Sequence, residues 1–446
     1  MSLRSGGGIK SRIDWPFLLA AAGLLLMSTI AILSAASPLA WYLSILRTQF
    51  IALALGVVLF LFGFGFNYQV FQDQAKALYA AVLVLLVAVL LIGTVHKGHK
   101  AWIHFGIFTF QPAEFGRIAV VLVLAAFLDS RARRIRDFST IILAMLMVSP
   151  IMLLILKQPD YSTTLTLIPI MLGMFFCAGA DVGHLLAASS FAGSAVAVPL
   201  VYTYVQVNYP NAAPGSLAYF VLQTLSLGAA TAGLLIGLGL VSVAVWRLAV
   251  MLRMHARPIV FVTAPVILSA GLLSGMLINR QMKSYQRNRF IAYVAPQADI
   301  QGASYHVHQS QIAIGSGGPW GKGLFNGTQS QLGFLPERHT DFIYAVVGEE
   351  MGFVGTMTIL ALYLLLIWRI VTIGKLARDQ YGFLVCSGLA TMFAFELTLN
   401  VGMCLGLMPV AGIPLPLISY GGSSLVVTLW SLGIVANIYS RRYALL

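Results

Sequence analysis

Between Tyr305 and Gly355 the chain gathers three histidines (His306, His308, His339), the acids Glu337, Asp341 and Glu349, and many glycines, although charged residues are only 9% of the total. From Phe342 onward the residues turn apolar for more than the roughly 20 positions that a membrane helix requires, so Asp341 stands at a helix mouth. The run from Arg280 to Thr340 is basic, with Arg280, Lys283, Arg287, Arg289, Lys322 and Arg338. Such a set suits an anionic ligand, a phosphate or pyrophosphate, and suits equally a solvated surface that prefers anionic head groups.

A second group lies in HKGHKAWIHFGIFTFQPAEFGR, which carries Trp102, Gln111, Glu114 and Arg117. Glu114 and Arg117 are three apart and share a helical face, where they can pair with each other or with opposite charges on a ligand. Ionisable residues inside a span are costly and mark function by default, with a structural ion pair as the plain alternative. Trp102 by itself reads as an interfacial anchor. In Lys157-Gln158-Pro159-Asp160, followed by Tyr161-Ser162-Thr163-Thr164, Asp160 is placed to cap the helix that follows. A last group, PVAGIPLPLISYGGSS, halts a helix at Pro409, Pro414 and Pro416, and allows close backbone approach at Gly421-Gly422-Ser423-Ser424. It is expected to sit beside the segment that holds Asp341.

The elements that must carry these groups are membrane helices. Of the 446 residues 59% are hydrophobic, and apolar runs recur along the whole length, which excludes a soluble domain. Spans are expected near 16–36, 48–66, 75–94, 113–128, 139–156, 162–179, 185–205, 217–245, 259–279, 342–368, 382–404 and 417–439, an all-α polytopic membrane protein of about twelve helices. The first is expected to remain in place as a helix, since no cleavage site follows it. One integral membrane domain is expected: N-terminal helices over 16–183, an inserted hairpin over 184–258, and C-terminal helices over 259–446 with an external loop at 280–341. The glycines at 315, 317, 318, 321, 323 and 327 predict a re-entrant or surface loop before Asp341, covered by protein or water.

Formal net charge is +13, a value that fits nucleic acid or anionic lipid, and its distribution decides between them. Arg4, Lys10, Arg12, Lys76, the 131–136 arginines, Arg247, Arg253, Arg257, Arg369, Lys375, Arg378, Arg441 and Arg442 fall on one side of the expected spans, which places both termini in the cytoplasm. The balance is that of a membrane protein, with no nucleic-acid partner. Cys177, Cys386 and Cys404 lie in apolar runs and predict buried thiols. The histidines match no zinc spacing. No ligand cluster demands a cofactor, although a divalent cation, Mg2+ or Mn2+, is compatible with pyrophosphate chemistry.

The motifs QPAEFGR, KQPDYSTT, YHVHQSQIAIGSGG, GTQSQLGFLPERHTDFIYAVVGEE and PVAGIPLPLISYGGSS resemble those of the SEDS family (shape, elongation, division and sporulation), and within it the RodA branch more than FtsW. The motifs leave only the His184–Pro258 hairpin outside the resemblance. It implies a peptidoglycan glycosyltransferase of the bacterial cytoplasmic membrane. Such an enzyme polymerises lipid II at the outer face during elongation, releases undecaprenyl pyrophosphate with inversion, and works with a class B penicillin-binding protein and other elongation-complex membrane proteins. The implied essential acid is Asp341, the general base for an acceptor sugar hydroxyl, with Glu114 and Arg117 as further catalytic groups. Trp102, Gln111, Asp160, Lys322, Glu337, Arg338, His339 and Ser423 are the expected substrate contacts, and Arg117 and the basic loop are the cations expected to face the pyrophosphate. The resemblance implies Lys where this chain has Arg117, PDLG where it has Pro159-Asp160-Tyr161-Ser162, and ten spans rather than twelve. A lipid flippase or transporter is the competing class. It would need ionisable residues deep in several spans, where Glu396 is the main candidate.

Overall fold

The computed structural model describes residues 13–96, 99–105, 108–253, 258–282, 284–295 and 302–443. Arg4, Lys10, Arg12, Arg257 and Lys283, which enter the charge distribution above, lie outside the described residues. The fold is helical almost throughout. Eleven helices among the described residues are long and apolar enough to cross a membrane.

Two compact units divide the chain: one runs up to Asp181 and takes in His308–Leu407 and the chain from Ala411, and the other comprises Val182–Val307 with Met408–Val410. In the first unit the helices are α1 (Trp15–Ala36), α2 (Tyr42–Gly65), the short α3 (Gln69–Asp73) and α4 (Ala75–Ile92). A three-stranded antiparallel sheet follows, β1 (Thr94–His96), β2 (His99–Phe105) and β3 (Phe108–Phe110). Next come α5 (Pro112–Ser130), α6 (Phe138–Lys157) and α7 (Tyr161–Ala178). α5 has 19 residues and carries three charges, Glu114, Arg117 and Asp129, a composition poorer for spanning than that of the eleven.

The second unit contains α8 (Val182–Asn208), α9 (Leu217–Thr224), α10 (Ala229–Met251), α11 (Pro258–Gln281) and α12 (Ser284–Val294). Where one span is expected over 217–245, the helix breaks between Thr224 and Ala229. Leu227 takes a left-handed φ of +60°, and the Thr231 hydroxyl serves both ends of the break: it donates to Thr224 O (2.6 Å) and accepts from Gly228 N (3.0 Å). α8 and α11 pack closely, because a Cβ on Gly275 would lie 2.6 Å from Ala195 O.

The chain then runs through α13 (Ala303–Ser316), α14 (Thr328–Gln331), α15 (Ile343–Lys375), α16 (Gln380–Cys404) and α17 (Gly422–Ser440). In the first unit α16 and α17 are buried along most of their length, while α2 and α4 expose apolar residues such as Val58 and Leu91, as helices against lipid do. α2 and α17 approach closely because a Cβ on Gly433 would fall 2.3 Å from Phe60 O.

α1 opens where Asp14 accepts from Phe17 N (3.0 Å) with Pro16 in the first turn. The same carboxylate also binds Arg369 of α15 and so fastens the two helices.

The expected loop before Asp341 is partly helical, and its irregular centre replaces hydrogen bonds that α15 lacks. α15 breaks at Gly352 (φ +64°, ψ −158°), so Phe353 and Val354 no longer donate one turn back. Instead Phe353 N donates to Gly318 O (2.9 Å) and Val354 N to Pro319 O (3.1 Å). The abandoned carbonyls of Glu349 and Glu350 accept from Lys322 N (3.0 Å) and Gly323 N (3.0 Å). Only glycine fits where the two backbones cross: a Cβ on Gly321 (φ +81°) would lie 2.1 Å from Glu350 O.

Gly333 provides the contrast, with φ +83° and nothing within 4 Å of a built Cβ. Gly333→Ala therefore meets only the left-handed penalty of about 1–2 kcal/mol, and Gly321→Ala adds a clash costing about 1–3 kcal/mol more. Thermal unfolding of the detergent-solubilised variants measures this, and equal losses at the two positions would contradict the crossing.

Candidate active site

The buried carboxylates Glu349 and Glu350 serve the loop. Glu349 accepts from Lys322 Nζ (2.9 Å), Thr328 Oγ1 (3.0 Å), Gln329 N (2.8 Å) and Ser330 N (3.0 Å). Glu350 accepts from Ser34 Oγ (2.7 Å), Ser330 Oγ (3.1 Å) and Gln331 Nε2 (3.2 Å). Arg338 is buried and donates to Ser330 O, and burial holds its pKa below the ordinary guanidinium value. The ammonium of Lys322 and the guanidinium of Arg338, expected at a pyrophosphate, are thus engaged in holding this loop.

Asp341 is half-buried in the turn that leads into α15. Glu337 shapes that turn with a left-handed φ of +48°: its carbonyl accepts from Thr340 N (3.1 Å) and Phe342 N (3.3 Å), and its Oε2 from Thr340 Oγ1 (3.1 Å). The Asp341 carbonyl accepts from Asn400 Nδ2 (3.0 Å), which also donates to Ile413 O (2.8 Å). His339 O accepts from Tyr420 N (2.8 Å), and their rings lie 5.5 Å apart. The segment rich in Pro and Gly after α16 therefore does sit beside the Asp341 turn. Burial raises the Tyr420 phenol pKa above its ordinary value.

The same segment reaches the other motif group three residues later. Ser423 Oγ accepts from Gln111 N (2.9 Å) and donates to Thr109 O (2.7 Å). Gln111 Nε2 donates to Asp160 Oδ2 (2.8 Å), and Asp160 caps α7 as expected, accepting from Thr163 N (3.1 Å) and Thr163 Oγ1 (2.7 Å). Trp102 is held in β2, register-paired with Thr94, in the small sheet between α4 and α5, for which no strands are expected from the sequence.

Arg117, expected to face the pyrophosphate, is instead engaged by two carboxylates of the protein. Its guanidinium is buried and split between Glu114 of its own helix and Glu396 of α16. The sequence offers one signal for this third member, an acid in mid-span. Asn400, one turn from Glu396, carries no such signal, because a lone asparagine in a helix has many ordinary uses.

The profile of the cell cycle protein family of FtsW, RodA and SpoVE matches residues 13–241 and 215–444. These stretches together run through the 184–258 hairpin, which the motifs alone leave outside. The peptidoglycan glycosyltransferase MrdB of Escherichia coli strain K12 is 33% identical over 433 residues, 97% of this chain and 95% of the relative. The peptidoglycan glycosyltransferase RodA of Treponema pallidum strain Nichols is 35% identical over 410 residues, 88% and 89% of the two chains. Among solved structures, a chain from a peptidoglycan synthase complex that coordinates polymerization and crosslinking superposes with a TM-score of 0.64 at 26% identity, covering 97% of this chain and 99% of its own. The rod shape determining protein RodA of Thermus thermophilus superposes at 0.58 with 25% identity, covering 97% and 98%.

Ser423 is 2% exposed and joins the 420–424 segment to Gln111 and Thr109. Ser423→Ala leaves a part-buried N–H and a carbonyl without that partner, a loss on the order of 1 kcal/mol. The neighbouring Ser424→Ala is expected within about 0.5 kcal/mol of the parent protein. Unfolding midpoints of the two variants check this, and equal midpoints would contradict the bridging role.

Proposed function

Since the chain belongs to the FtsW, RodA and SpoVE family of cell cycle proteins, we infer that the residues around Asp341 form the centre of a glycan polymerase acting on lipid II. The protein is a membrane-embedded peptidoglycan glycosyltransferase. The observation that carries the reading of the site is the bridge made by one short stretch: Tyr420 binds the backbone two residues from Asp341, and Ser423 binds the backbone three residues before Glu114.

In this reading Asp341 takes the proton from an acceptor sugar hydroxyl. The hydroxyl oxygen forms a bond to the anomeric carbon of the lipid-linked donor, the carbon–oxygen bond to the pyrophosphate breaks, and undecaprenyl pyrophosphate departs with inversion at carbon. A positioned base contributes roughly 10²- to 10⁴-fold, and holding the two lipid-linked substrates in line supplies much of the rest. Arg117, Lys322 and Arg338 are each engaged with protein acceptors, so in this reading they shape the site and do not neutralise the leaving group. The sugar contacts are assigned to Trp102, Gln111, Asp160, Glu337 and His339, which border the same segments.

Among the described residues no three His, Cys, Asp or Glu side chains converge as a metal site, and no step is routed through a metal. Assays in EDTA, with Mg2+ or Mn2+ restored, test whether departure of the pyrophosphate uses a divalent cation. The enzyme is assigned to the bacterial cytoplasmic membrane with both termini inside. Its assigned partner is a class B penicillin-binding protein, in keeping with the complex that a structural neighbour comes from.

Asp341→Asn keeps the size and hydrogen-bonding capacity of the side chain and removes its basicity. Polymerisation of lipid II by the purified variant is expected to fall more than about 100-fold with folding intact. Polymer at near the parent rate would overturn the assignment.

A further inference from the structure

Glu396 lies in α16 with its side chain 1% exposed, and one terminal nitrogen of Arg117 binds its carboxylate. The other terminal nitrogen binds Glu114. One guanidinium therefore joins two carboxylates across two helices, a task suited to a rigid planar fork of donors and poorly suited to a compact ammonium. Four residues further along α16, and so on the same face, Asn400 binds the Asp341 carbonyl. A turn beyond that, Cys404 Sγ is 3.9 Å from the same carbonyl. The face of α16 carrying residues 396, 400 and 404 thus meets α5 at one level and the Asp341 turn about 6 Å higher.

We propose that Glu396 is a positioning residue for glycan formation: by gripping Arg117 it sets the axial placement of α16 against α5, and through Asn400 it sets the Asp341 carboxylate relative to the Glu114 end of the site. The proposal rests on Asp341 as the base. Its leverage is geometric, since a displacement of about 1 Å at a reacting group costs on the order of 100-fold in rate. Removing one partner of a buried ion pair strands the other, so the three side chains act as a unit. Lysine at position 117 would pair with Glu114 and leave Glu396 buried without a counter-charge; glutamine at position 396 would remove that demand.

The test uses the purified full-length protein as parent, Glu396→Gln, Arg117→Lys and the double variant, with lipid II as substrate. Hydrogen exchange is followed in peptides covering residues 337–343. Glu396→Gln is expected to lower kcat about tenfold or more with KM nearly unchanged, and to speed exchange in 337–343. Arg117→Lys is expected to fall further, and the double variant to return to the level of Glu396→Gln. A merely structural role would leave kcat per folded molecule at the parent value.

Parent turnover in folded Glu396→Gln, unchanged exchange in 337–343, or a double variant no better than Arg117→Lys would each overturn the proposal. If Glu396→Gln does not fold, Glu396→Asp, which keeps the charge and shortens its reach by one methylene, takes its place with the same expected split. If the parent itself makes no glycan, the reading of function fails, and the exchange comparison still decides whether Glu396 holds the Asp341 turn.

Discussion

In the interior of a membrane protein every backbone N–H and C=O must find a partner within the protein, and the break of α15 at Gly352 is tolerated only because that condition is met. The carbonyls left by the break accept from Lys322 and Gly323, and the donors left by it reach Gly318 and Pro319. Two helical hydrogen bonds are exchanged for four between segments. The exchange anchors the loop to the helix that begins two residues after Asp341, and Glu349 and Glu350 complete it from the side-chain level. Much of the polar material that stands out in this region is occupied in that anchoring.

The same economy governs the charged residues of the first unit. Arg369 joins α15 to Asp14, Lys322 joins the loop to Glu349, and Arg117 joins α5 to α16. Charges paired wholly or partly out of water add little net stability once desolvation is counted, and their use is to specify which elements meet and at what level. That constraint matters for the glycosyl transfer proposed at Asp341, which needs its reacting groups held in line. Asp341, half-buried in its turn, is held through its backbone by Asn400.

Two contacts in this region are legible in the sequence. The capping of α7 by Asp160 follows from an acid placed just before a hydroxyl-rich helix start. The meeting of the segment after α16 with the Asp341 turn follows from two irregular, glycine-bearing stretches that each need cover. The break between α9 and α10 was not readable, because Ser226 and Gly228 beside Leu227 are single small residues of a kind that membrane helices also carry; the turn there is made by one threonine hydroxyl and a left-handed leucine. The small sheet was missed for a related reason, since three short strands between two spans leave too few alternations to establish a period.

What the sequence by itself determined was the class of molecule, most of the segments long and apolar enough to cross a membrane, and the family, because hydrophobic length and motif identity are local properties of the chain. Tertiary structure alone decided the partners of the charges. Arg117 has Glu114 as a neighbour one turn away on its own helix, and nothing local pairs it with Glu396, 279 residues further on. Which carboxylate a buried guanidinium reaches depends on how two helices are placed along each other's length. That placement is set by packing and by the requirement that no buried charge go unpaired.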